Sequence, residues 1–69
     1  MISDDVIDAQ VTRIRAVFGG QGAWIPERVI EWRRALRYLT EVELQIAVTD
    51  WIRGGDGMPR GPGEIRKLA

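Results

Sequence analysis

Trp24-Ile25-Pro26-Glu27-Arg28-Val29-Ile30-Glu31-Trp32-Arg33-Arg34-Ala35-Leu36-Arg37-Tyr38-Leu39 decides the fold, because its two sides differ in chemistry at helical spacing. At about 100° per residue, Val29, Trp32, Leu36 and Leu39 share one arc with Ala35 at its edge, an apolar stripe suited to packing on other helices. Pro26 suits the first helical position, where its missing N–H loses no partner and its fixed φ is already helical. Ile25 is a poor N-cap, so a hydrophobic staple of Trp24 on Val29 is expected to set the start. The stretch predicts a helix over 26–39 with one buried face.

Working towards the N-terminus, Gln21-Gly22-Ala23 reads as a short connection, and Gly19-Gly20 supplies the left-handed residue that closes a preceding helix. That helix is predicted over 4–18. Ser3 is its cap, and Asp4 and Asp5 lie at the positive end of its dipole. Ile7, Val11, Ile14 and Phe18 form its inner stripe, flanked by Val6 and Val17, while Asp8, Thr12 and Arg15 point away.

Towards the C-terminus, Thr40-Glu41-Val42-Glu43 is a capping box, so a third helix is predicted over 41–53, ended by Gly54-Gly55. Leu44, Ala47, Val48 and Trp51 face inward with Ile52 alongside. Val42 and Ile46, with Thr49, form a second stripe; packing on the first or the terminal helix accounts for it, and a symmetric seam between two copies is the alternative. The run 55–60 is a loop by composition. Gly61, Pro62 and Glu64 open a short last helix over 62–68, with Ile65 and Leu68 directed inward. No strand pattern or internal repeat is present. The fold class is all-α: one domain over 1–69, a compact antiparallel bundle of three main helices plus a short C-terminal helix.

Composition narrows the function. Sixty-nine residues make one small domain with room for a core and not for a deep cleft. Without cysteine or histidine, helix packing alone must carry the fold, since disulfides and the usual zinc ligands are unavailable. Ten basic and ten acidic residues cancel, which argues against coating nucleic acid by bulk charge. The chain lacks an apolar run long enough for a bilayer and a basic leader, so a soluble, intracellular protein is expected.

Chemistry is sparse. The commonest general base and the commonest strong nucleophile are missing, and the single serine is a cap, so the expectation is a protein that is not an enzyme and holds no cofactor. The glycine-rich loops lack the preceding strand and the Lys-Ser/Thr of a phosphate loop. Asp4, Asp5 and Asp8 have the spacing of a dipole-complementing first turn, not of a calcium loop. What stands out is the outer side of the second helix. Ile30, Arg33, Arg34 and Arg37 recur at i, i+3, i+4 and i+7 with Tyr38 further round, and Glu27 and Glu31 lie at one edge. Arginine and tyrosine around an apolar centre resemble an interface hot spot, so these five residues are the candidate partner-binding surface; the alternative is a solvated face with Ile30 leaning on the first helix. A helix-turn-helix for DNA is disfavoured by the tight spacing after Leu39 and by Glu41, Glu43 and Asp50 on the third helix. Nucleic acid is therefore a secondary partner at most, and a monomer is expected.

Met58-Pro59-Arg60-Gly61-Pro62-Gly63-Glu64-Ile65-Arg66, with Ala47-Val48 through Trp51-Ile52 and the Trp32 to Leu36 spacing, resembles the phage replicative-helicase loader/inhibitor family. Arg60 and Gly61 stand where that family usually has its second proline and a threonine. The resemblance implies an all-helical domain of phage or prophage DNA replication that binds the replicative helicase or an origin-binding initiator. It further implies that a chain without the family's C-terminal tail is an isolated N-terminal domain, or a shortened relative that occupies its partner without loading it and so inhibits replication.

Overall fold

The computed structural model describes residues 1–19, 25–55 and 57–69, which form four helices: α1 (Asp4–Phe18), α2 (Pro26–Leu36), α3 (Glu41–Gly54) and α4 (Pro62–Arg66). No strand occurs among the described residues, and the molecule is a small all-α bundle measuring 29 × 27 × 17 Å. The connection over 20–23, Trp24 with its expected staple on Val29, and Asp56 lie outside the described residues.

Local signals set the helix starts. The Ser3 hydroxyl accepts a hydrogen bond from the Val6 N–H (3.4 Å), and Pro26 and Pro62 stand in the first turns of α2 and α4. At α3 the capping box is complete. The Glu43 N–H donates to the Thr40 hydroxyl (3.1 Å), and the Thr40 N–H donates to the Glu43 carboxylate (2.9 Å). Those bonds hold the Glu43 carboxyl below its ordinary range, the Thr40 backbone contributing most and its side chain next. Gly19 (φ 66°) and Gly55 (φ 68°) close α1 and α3 in the left-handed region that L side chains avoid.

The ends of α2 and α4 differ from expectation. α2 stops at Leu36, and the chain over 37–39 turns through an i→i+3 bond from the Leu39 N–H to the Leu36 carbonyl. Leu39 keeps the apolar period and packs against the core, but the extended backbone that Thr40 needs as a cap requires the chain to leave the helix before it. α4 stops at Arg66, and Leu68, expected inward, is exposed.

The core holds Ile7, Val11 and Ile14 of α1, Trp32 and Leu36 of α2, Leu44, Ala47 and Val48 of α3, and Ile65 of α4. The packed helix pairs are α1 with α2, α1 with α3, α2 with α4 and α3 with α4. Ile2 donates its N–H to the Arg37 carbonyl (3.2 Å) while Asp8 meets Arg33, so α1 and α2 run antiparallel. α4 is one turn and a half long, too short to be helical alone, and it bridges α2 and α3 through Ile65. Among the described residues no helix is long and apolar enough to cross a membrane.

Candidate functional site

The five residues singled out on the second helix divide in two. Arg33 turns towards α1, where its Nε and Nη2 donate to Asp8 Oδ1 and Oδ2 at 3.0 and 2.6 Å, with Asp4 3.9 Å from its Nη1. Asp8, expected to point away from the bundle, is the other half of this fork. The contact joins the first half of α1 to an arginine in the last turn of α2, where Asp4 and Arg33 also complement their helix dipoles. The Arg33 hydrogen bonds hold the Asp8 carboxyl below its ordinary range, against the opposing effect of partial burial. Arg33 is raised in turn, chiefly by Asp8, with Asp4 and Asp5 adding to it. Its role is to fasten α2 to α1.

The other four stay outward. Ile30 is 49% and Tyr38 74% exposed, Arg34 is exposed, and Arg37 is half-buried. Ile30 is not among the hydrophobics packed against the core. Glu31 and Glu27 are exposed on the same side, about one turn and two turns before Arg34. With Arg33 withdrawn, this face of α2 carries two acids in its first half, two arginines in its second, and an isoleucine and a tyrosine among them.

Between α1 and α2 runs a groove of about 270 Å³ lined by Asp8, Val11, Thr12, Arg15, Val29 and Arg33. Arg15, expected to point away, is half-buried in its wall. On α3 the second stripe is open to solvent: Val42 is 63% and Ile46 55% exposed. The expectation that α1 or α4 covers it fails at Val42 and Ile46, because both helices pack on the Leu44–Ala47–Val48 side of α3. Thr49, at the end of that stripe, accepts a hydrogen bond from Arg13 of α1 (2.9 Å). Where α3 meets α4, the Trp51 indole N–H donates to the Gly57 carbonyl (2.7 Å), beside a cleft that also touches Met58, Arg60 and Glu64.

These tertiary partners were not visible as sequence motifs, since Asp8–Arg33 and Arg13–Thr49 span 25 and 36 residues. No group of three or more acidic, histidine or cysteine residues that could hold a metal occurs among the described residues. The turn 37–40 between α2 and α3 has the length of a helix-turn-helix turn, longer than the spacing after Leu39 suggested. Yet α2 and α3 are not among the packed pairs, and the outer side of α3 keeps its acidic Glu41, Glu43 and Asp50 exposed. Compared with protein-family models, curated proteins and solved structures, the chain matches none.

Proposed function

We propose that the protein is a non-enzymatic protein-binding module whose binding surface is the outer face of α2. The observation that carries this reading is the exposure of Ile30 and Arg34 on α2, with the C-cap Arg37 and the exposed Tyr38 in the turn that follows it. A large aliphatic and an aromatic left in water between arginines, on a helix whose opposite side is core, is the arrangement that a partner can desolvate at little cost in order. Arg33 drops out of the surface because Asp8 already holds it.

The partner class comes from the resemblance to phage helicase loaders and inhibitors: the replicative helicase or its origin-binding initiator. Of the residues that carry this resemblance, Trp32, Leu36, Ala47, Val48 and Ile65 are core. They speak for a shared bundle, and the partner must therefore be tested directly. Affinity capture from a bacterial lysate is expected to recover the replicative helicase or its initiator, and to lose it with Arg34→Glu combined with Tyr38→Ala while far-ultraviolet circular dichroism is unchanged. Capture of an unrelated enzyme would overturn the partner. Undiminished capture by the folded double variant would overturn the surface.

A further inference from the structure

We propose that the outer face of α2 pairs with the same face of a second copy of this chain, antiparallel across a two-fold axis, forming a weak and salt-sensitive dimer that covers the binding surface. The inference rests on the proposed function only in taking this face as the one that binds. At about 100° per residue Glu27, Ile30, Glu31, Arg34 and Arg37 fall within an arc of about 120°; Arg37, the C-cap, continues the helical trace with φ −61° and ψ −23°, and Tyr38 stands exposed in the turn beyond it. On this arc the acids come first and the arginines last, the exposed Arg28 lying round the helix outside it. An antiparallel copy therefore meets charge with opposite charge.

One register serves every residue of the face. With the axis at the level of Trp32, Glu27 stands level with Arg37 of the second copy and Glu31 level with Arg34, each pair occurring twice by symmetry and spanned across the seam by the long arginine side chains. In the same register Ile30 lies along the aliphatic stem of the second copy's Arg34, and Tyr38 reaches its exposed Pro26. The antiparallel helix dipoles add to the attraction. Arg33 would spoil the balance by adding a fifth charge, and its fork to Asp8 takes it off the face. The other exposed apolar stripe lacks this complementarity, because the same operation on α3 lays Asp50 beside Glu43 of the second copy.

The size of the seam sets its strength. A face of about thirteen residues at 1.5 Å rise is about 20 Å long, and a single helix pair stays below the roughly 1,200 Å² at which specific interfaces become stable. Assembly is thus expected only at high protein concentration, and exposed ion pairs of this kind weaken as salt shortens the Debye length to about 3 Å at 1 M.

Sedimentation equilibrium tests the pairing. For the natural chain at up to about 1 mM, near the dissociation constant of a contact this small, the average mass should climb towards the dimer in low salt and return to the monomer in high salt. Glu27→Lys with Glu31→Lys makes the face wholly basic, and Arg34→Glu with Arg37→Glu makes it wholly acidic. Each variant alone should remain monomeric, and their equimolar mixture should form a heterodimer at least tenfold tighter than the natural homodimer. A natural chain that stays monomeric in low salt would overturn the proposal, as would a salt-insensitive dimer or a mixture of folded variants that does not associate. Should a variant fail to fold, the salt dependence of the natural chain decides alone. Because no helicase or initiator is present in this measurement, failure of self-pairing leaves the proposed function standing, and failed capture from lysate leaves self-pairing standing.

Discussion

Ile65 is the residue through which a helix too short to stand alone becomes part of the fold, and its replacement should show how far the bundle depends on α4. Ile65 is fully buried at 0% exposure, and α4 packs on both α2 and α3, which are not themselves a packed pair. Ile65→Val removes one methylene and should cost about 0.5–1.5 kcal/mol; Ile65→Ala leaves a cavity between three helices and should cost about 2–5 kcal/mol. A core in a chain this short supplies roughly 3–5 kcal/mol in all, so the alanine variant should be largely unfolded at 25 °C. The valine variant should melt about 2–12 °C lower, at roughly 4–8 °C per kcal/mol for a domain of this size. Urea unfolding followed by circular dichroism and by tryptophan fluorescence checks both, the second probe read in a Trp24→Phe, Trp32→Phe background so that it senses Trp51 where α3 meets α4. An alanine variant with the natural midpoint and slope would refute the reasoning. So would a fluorescence transition that precedes the loss of helix, since α4 would then be an appendage and not a wedge.

Other expected outcomes follow from single contacts. Thr40→Ala removes the hydroxyl that caps α3 and should destabilise the protein by about 1 kcal/mol in chemical unfolding, with Thr40→Ser nearly neutral. Asp8→Asn should flatten the acid limb of the stability–pH curve: the folded-state carboxyl is depressed by Arg33, so its contribution is fully present above the unfolded carboxylate pKa of about 3.9 and fades as pH falls through the lower folded value. The effect will be small, because side chains 33% and 41% exposed are screened by solvent. Gly57→Ala should lower stability by about 1 kcal/mol although nothing lies within 4 Å of the added methyl group, since φ is +89° there; thermal melting checks it.

Helix starts were legible because each is written in one or two residues: Ser3, Pro26, the Thr40/Glu43 box, and Gly61-Pro62. The end of α2 was not. Neither glycine nor proline marks it, and Leu39 continues the apolar period, so only the need of Thr40 for extended backbone betrays the turn over 37–39. The core stripes were legible for the same reason as the starts, since periodicity is a local property. Which helix covers which face is not local. The stripe of Val42 and Ile46 carries the same period as a buried face, yet α1 and α4 both approach α3 from its other side. Likewise Asp8 and Arg33 look like ordinary solvated charges until antiparallel packing brings α1 against α2.

That packing changes what the arginine face of α2 can be. As a run of sequence, Arg33, Arg34 and Arg37 against Glu27 and Glu31 make a basic surface suited to an acidic partner. In the folded chain Arg33 is spent on Asp8, and the remaining charges balance two against two, with the acids at one end and the arginines at the other. A face with no net charge but a lengthwise gradient selects for orientation more than for the sign of its partner. It favours a helix laid antiparallel with its own acids and bases in matching order, and discriminates against uniformly acidic surfaces, nucleic acid among them. The distinction rests on one ion pair, and releasing Arg33 through Asp8→Asn should therefore shift the face back towards general attraction for acidic surfaces.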